Sequence, residues 1–229
     1  MITLEEVTKT YTLGEERIVA VNNVSLTVRS GEFVAIMGKS GCGKTTLLGL
    51  VGGLDRPDSG RVIVNGEDIT RLGDGELTRY RRDRVGIIFQ FFNLIPILTV
   101  SENVALPGLL QARPGQGVLS RVEYLLTEMG LWSRRNHYPH EISGGEMQRA
   151  AIARALVNEP GLILADEPTG NLDSRTGAEI LHLLGELRER HRITVILATH
   201  SVEAASRADR RLIMRDGSLS LAEGTPGLT

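Results

Sequence analysis

Eight consecutive residues, Gly38-Lys39-Ser40-Gly41-Cys42-Gly43-Lys44-Thr45, have the makeup of a loop that grips a polyphosphate. Glycines at 38, 41 and 43 let the backbone curl until its N–H groups converge on phosphate oxygens. Lys44 adds a mobile cation for the outer phosphates, and the Thr45 hydroxyl is a ligand of the kind Mg²⁺ takes. Thr46 belongs to the same nucleotide-binding set. A glycine-rich turn with an exposed lysine would share this composition, but the context argues for the phosphate loop. The apolar run 33–37 reads as a strand buried on both faces, and residues 45–51 read as a helix whose positive end faces the loop. Cys42, the chain's one cysteine, lies inside the loop. Bulky thiol reagents are therefore expected to block nucleotide binding, and ATP to protect the thiol.

A second chemistry sits at the ends of other apolar runs. Residues 162–165 are apolar and lead into Asp166-Glu167. In open α/β sheets ligands bind at the carboxyl ends of the strands, so two adjacent acids there divide the work. Asp166 is assigned to hold Mg²⁺ through water, and Glu167 to polarise the attacking water as general base. Gln90 and His200 also follow apolar runs and should reach the same rim. Gln90 offers its amide to Mg²⁺ and the water, and His200 a hydrogen bond to the γ-phosphate. About a hundred residues beyond the phosphate loop, Ser143-Gly144-Gly145 opens a further helix. Its first N–H groups lack intrahelical partners and Gly-Gly admits close approach, which makes it a second anion grip. One nucleotide needs only one such grip, so two copies of the chain are expected to close on ATP together.

The elements that must position these residues follow from periodicity. Alternating apolar residues between 2 and 28 predict half-buried strands in an antiparallel layer. Residues 61–64 before Asn65-Gly66, and 85–89 before Gln90, read as strands. From about 98 to 158 the period is helical, with Thr99 or Ser101 capping one helix, 118–130 forming a second and Ser143 opening a third. Gly115 and Gly117 fall in a loop. Strand character returns after Pro160, at 162–165, 193–199 and 211–214, with a helix over 174–190, and the tail at 224–227 reads as loose. Strands alternating with helices predict an α/β fold: a nucleotide-binding core from 1–90 and 160–229, interrupted by a helical subdomain at 91–159.

Composition narrows the partners. The chain has 229 residues, 41% of them hydrophobic and 24% charged, with a formal net charge of −2. That balance gives no field to draw it to nucleic acid or anionic lipid. No apolar run approaches the ~18 residues a membrane span needs, and the start lacks a basic-then-apolar leader. These features favour the cytoplasm. The stretch Phe91-Phe92-Asn93-Leu94-Ile95-Pro96-Ile97-Leu98, directly after Gln90, reads as a partly exposed groove for a short helix of a partner. The arginines at 79, 81, 82 and 84 read as a solvated helix face.

Taken in order, the motifs resemble those of the ATP-binding-cassette (ABC) ATPases over nearly the whole chain. Ile142-Ser143-Gly144-Gly145-Glu146-Met147-Gln148-Arg149 looks like the family's signature motif, with Ile142 in place of Leu and Glu146 in place of Gln. Pro-Thr-Gly-Asn-Leu-Asp at 168–173 is similar to the branch that holds the ATPases of lipoprotein-release and macrolide-export systems. The resemblance implies a P-loop (RecA-like) core with an N-terminal antiparallel β layer and an inserted helical subdomain. By the same likeness Tyr11 stacks on adenine, and Asn171-Leu172-Asp173 forms a loop reaching the opposite subunit. It further implies a head-to-tail homodimer sandwiching ATP, Mg-dependent hydrolysis, and an integral membrane permease subunit as partner at the inner face of the membrane. A soluble ABC ATPase acting on ribosome or DNA is the alternative. It fits less well, because such relatives usually carry two cassettes or a long coiled-coil insertion.

Overall fold

In the computed structural model, residues 1–111 and 117–222 are described; Gly115 and the tail at 224–227 lie outside them. The alternation near the start becomes a hairpin, β1 (Ile2–Leu13) antiparallel to β2 (Glu16–Val28). Ile2, Leu4 and Val7 point into the core while their neighbours stay partly exposed, as a layer covered on one face requires. The apolar run forms β3 (Phe33–Met37), and the phosphate loop passes from it into α1 (Lys44–Val51). β4 (Ser59–Val64) and the short β5 (Glu67–Asp68) then complete a four-stranded sheet in the order β2-β1-β4-β5.

An arginine-rich helix, α2 (Asp74–Arg84), runs directly into β6 (Val85–Ile88). Its arginines are less free than a solvated face would leave them. Arg81 donates to the Gly53 carbonyl, Arg82 pairs with Asp83, and Arg84 pairs with Glu67. Tyr80, on the buried side, donates to the Val51 carbonyl at 2.8 Å and ties α2 to the end of α1. Among the described residues between 91 and 159 there are helices and no strand: α3 (Val100–Leu109), α4 (Val118–Glu128) and α5 (Gly144–Leu156). Thr99 caps α3 and Ser143 caps α5, each in a reciprocal box with the glutamate three residues on.

The chain then returns to the sheet through β7 (Leu162–Asp166), α6 (Ser174–His191), β8 (Thr194–Thr199), the one-turn α7 (Val202–Ala205), β9 (Arg210–Arg215) and β10 (Ser218–Leu221). The second sheet has six strands in the order β10-β9-β3-β8-β7-β6, parallel except for β10. Its period-two side chains divide the core. Val34, Ile36, Leu162, Leu164 and Ile196 face α1 and the antiparallel layer; Phe33, Ile163, Val195 and Leu197 face α5 and α6. With both faces covered, every parallel strand delivers its last residue to one rim. β3 ends at the phosphate loop, β7 at Asp166, and β8 at Thr199, next to His200.

Candidate functional site

The loop after β3 closes around Gly43, the N-terminal cap of α1, whose φ is 107°. A side chain there would be strained, and its Cβ would lie 2.0 Å from the Ala20 carbonyl oxygen, so only glycine lets β2 lie against the loop. Lys44 is nearly enclosed. Its Nζ donates to the carbonyls of Gly38 (2.8 Å) and Lys39 (3.1 Å) and lies 3.6 Å from Glu167 Oε1. An ammonium has three donors, so one N–H remains for a phosphate.

A cleft of about 270 Å³ opens in front of this loop. Ser40, Gly41, Gly43, Lys44, Thr45 and Thr46 form its floor; Gln90, Asp166 and Glu167 stand on one side, and Tyr11, Ile18 and Ala20 on the other. Thr45 Oγ1 donates to Asp166 Oδ2 at 2.8 Å. Asp166 Oδ1 is buried without a hydrogen-bond partner. Burial pushes the Asp166 carboxyl above its usual range; the Thr45 bond opposes the shift and the neighbouring Glu167 charge adds to it. A hydroxyl, a carboxylate with a vacant oxygen and a side-chain amide are the hard oxygen donors Mg²⁺ accepts.

Glu167 has a left-handed backbone, φ 48°, which costs an ordinary residue about 1–2 kcal/mol. Hydrogen bonds on both sides hold it there: Glu167 N–H to Ala198 O and Gly170 N–H to Glu167 O, each 2.9 Å. The turn aims the carboxylate back over the loop, at Lys44 on one oxygen and His200 on the other. His200 follows β8 at the same rim as Asp166 and Glu167. Its Nδ1 lies 2.5 Å from Glu167 Oε2, and its ring borders a cavity behind the loop instead of the cleft.

Gly38, Lys39 and Cys42 also border that rear cavity, of about 590 Å³, and not the cleft. A Cβ on Gly38 would meet Cys42 Sγ at 2.5 Å, so the thiol packs beneath the loop. The Cys42 N–H is turned to Lys39 O at 3.3 Å.

Tyr11 forms the outer wall of the cleft in a network that the sequence does not reveal. Its hydroxyl donates to Asp55 Oδ2 at 2.8 Å, and Lys9 Nζ bonds Asp55 Oδ1 at 2.8 Å while lying 5.2 Å from the Tyr11 ring centre. Burial and the Asp55 bond raise the Tyr11 phenol above its ordinary value. Burial works against the Asp55 carboxylate, yet the bonds from Lys9, the Arg56 N–H and Tyr11 hold it below its usual range.

Ser143, Gly144, Gly145 and Asp173 do not line the cleft. At the α5 tip, Ser143 N–H and Oγ–H both donate to Glu146 Oε2 at 2.8 Å, while Arg134 Nε lies 3.2 Å from Glu146 Oε1. The Ser143 N–H, with help from Arg134, holds the Glu146 carboxyl below its usual range, though partial burial opposes this. Two further residues of α5 hold loops that follow strand ends at the rim, contacts to which sequence assigned no role. Gln148 Nε2 donates to the Pro168 carbonyl at 2.7 Å, and Arg154 donates to the carbonyls of Phe92 (2.8 Å) and Asn93. Phe92 and Asn93 both have left-handed backbones, φ 61° and 50°, so Arg154 pins the sharp turn after Gln90.

The comparisons agree with this geometry. The family model described as "ABC transporter" matches residues 21–170. An uncharacterised ABC transporter ATP-binding protein of Methanocaldococcus jannaschii, MJ0796, is 47% identical over 231 residues, covering 99% of this chain and 98% of the relative. A solved dimer of MJ0796, described as a post-hydrolysis state bound to ADP and Pi, superposes with a TM-score of 0.90 at 45% identity, with both chains fully covered. The macrolide export ATP-binding/permease protein MacB of Brucella melitensis is 43% identical over 219 residues; the match covers 96% of this chain but 34% of that protein. A phosphate loop, a paired-acid strand end and a separate glycine-tipped helix on this fold therefore have one explanation: the chain belongs to the ABC transporter family, as one of its ATP-binding, ATP-hydrolysing cassettes.

Proposed function

We propose that two copies of this chain pair head to tail around two molecules of Mg-ATP and move an integral membrane subunit as they close and reopen. The observation that carries this reading is the separation of the two anion grips. Each cleft has a floor, a metal side and a base-stacking wall, while the Ser143-Gly144-Gly145 tip and Asp173 lie outside the cleft of their own chain. A second copy, turned to face the first, would bring its Ser143 tip to the open side of the triphosphate. The description of the MJ0796 structures as dimers supports such pairing.

In this arrangement Tyr11 stacks on the base, the loop N–H groups wrap the phosphates, and Lys44 turns its free N–H to the outer ones. Mg²⁺, when bound, neutralises phosphate charge; Thr45, Asp166 and Gln90 would hold it. Glu167 takes the proton of the attacking water, and His200 fixes the carboxylate through its Nδ1 contact. Gln90 is joined to the next loop by Asn171, whose Nδ2 donates to Gln90 O at 3.0 Å. A γ-phosphate lost from this rim therefore pulls on the segment after Gln90.

That segment presents the docking surface. Phe91, Ile95 and Ile97 are exposed, Phe91 by 71% and Ile97 by 82%, while Leu94 anchors the stretch to the core. A short apolar helix of a membrane subunit fits such a surface. Among the described residues no helix is long and apolar enough to cross a membrane; docked through this surface, the cassette would sit peripherally on the cytoplasmic face beside its membrane subunit. The 91–159 segment would then be the subdomain that carries the docking surface on the 1–90 and 160–229 core.

The Glu167→Gln variant tests the reading. ATP should convert it to a stable dimer on size-exclusion chromatography while hydrolysis falls by about 10²–10⁴. A monomer at saturating ATP would overturn the paired arrangement.

A further inference from the structure

We infer that Gln148 is a positioning residue that couples the α5 tip, which grips the other subunit's ATP, to the general base of its own cleft. The inference rests on the paired-site reading above. Gln148 is fully buried and donates to the carbonyl of Pro168, the residue that follows Glu167. A buried amide normally satisfies both of its ends, yet Gln148 Oε1 has no partner. The side chain therefore makes this one bond at the cost of an unsatisfied oxygen; an apolar residue of the same length would spare that oxygen but leave the Pro168 carbonyl without its donor.

The target of the bond is sensitive. Glu167 holds a left-handed backbone, and Pro168 fixes the chain direction immediately after it. The Pro168 carbonyl lies one peptide beyond Glu167, and because the proline ring fixes φ between them, a movement of that carbonyl is carried back to the backbone that aims the Glu167 carboxylate. The α5 tip also has no slack against the same loop. A Cβ on Gly145 would meet Thr176 Cγ2 at 2.6 Å, and one on Gly144 would meet Leu172 Cδ2 at 3.3 Å. A shift of α5 when a triphosphate docks on Ser143 is thus transmitted as a unit to residues 168–176, and Gln148 is the polar contact nearest the base. Each chain would report the occupancy of one composite site to the carboxylate that acts in the other.

Mixed dimers with a single competent base test this. One chain carries Glu167→Gln, and Gln148→Met is placed either in the chain with intact Glu167 or in the Glu167→Gln chain. Met retains length and volume and removes the donor. Turnover should fall by about tenfold or more when Gln148→Met shares a chain with the working Glu167, with KM for ATP within about twofold. It should stay within about twofold when Gln148→Met lies in the other chain. A purely structural role in shaping the α5 tip gives the opposite pattern, because that tip completes the site of the other chain; equal losses in both placements, or a loss only in the second, overturn the proposal. Gln148→Leu, which also removes the donor and adds no charge to the buried site, should repeat the pattern if Met destabilises the fold. Failure of the Glu167→Gln parent to dimerise with ATP would remove the paired reading itself, and the proposal with it, before any Gln148 variant is compared.

Discussion

Glu146 sits where the family resemblance places Gln, and its charge changes what Ser143 offers. Both donors of Ser143 are turned to Glu146 Oε2, so an incoming phosphate must displace a carboxylate of its own sign. Arg134 is placed to take that carboxylate when it leaves. Glu146→Gln should tighten ATP-driven dimerisation of the Glu167→Gln protein by about two- to fivefold, the worth of one charge at a helix N-terminus. The dimer dissociation constant in ATP, from analytical ultracentrifugation, checks this. The same carboxylate bears on folding. Its pKa is lower in the folded chain than unfolded, so its contribution is present above the ordinary glutamate value and is lost as pH falls through the depressed one. The stability advantage of the native chain over Glu146→Gln, measured by urea unfolding, should therefore shrink as the solution is acidified through that window.

At the scale of elements, the wall proposed to stack on adenine depends on the turn after α1. Tyr11 lies on β1, and the bond to Asp55 and the Lys9 contact help to fix its ring across the cleft from the phosphate loop. Asp55→Ala frees the ring without touching the phosphates, so KM for ATP should rise about three- to tenfold with kcat nearly unchanged. Asp55→Asn, which still accepts from the phenol, should recover most of the loss. Steady-state kinetics over a range of ATP concentrations separates the two parameters. Helix α5 is the other element with more than one duty. Its cap is the proposed second anion grip, Gln148 holds the Pro168 carbonyl, and Arg154 holds the turn after Gln90. Burial pulls the Arg154 pKa below its ordinary value, yet the guanidinium stays where two left-handed residues need their carbonyls satisfied.

For the molecule as a whole, stability and assembly separate. The two apolar clusters on either side of the six-stranded sheet are built from one chain, so a single copy has its own core. In the paired arrangement proposed above, the catalytic chamber is the part that calls for a second copy. Ser143→Arg places a bulky cation at the α5 tip and should abolish ATP-driven pairing in the Glu167→Gln background. Single-site ATP binding by the monomer should stay within about threefold, because Ser143 does not line its own cleft. Equilibrium binding of a fluorescent ATP analogue to the monomer measures this. Loss of binding there would place Ser143 in the wrong site.

The sequence by itself determined the contiguous parts of this protein. The phosphate loop, the paired acids, Gln90 and the capped glycine helix each lie within a few residues of a strand or helix boundary, where periodicity and glycine placement are informative. It also placed β3, β7 and β8 to within a residue, because buried parallel strands are continuous apolar runs. Helix α2 was legible only as a run of arginines, since its buried side is carried by little more than Leu77 and Tyr80. Only the tertiary structure decided which side of the loop each side chain takes: Cys42 beneath it, His200 on Glu167, Lys44 folded onto two loop carbonyls. Asp55 with Tyr11, Gln148 with Pro168, and Arg154 with Phe92 are likewise pairs distant in sequence. Local propensity carries no record of such contacts, because they are set by how the sheet brings its strand ends to one rim.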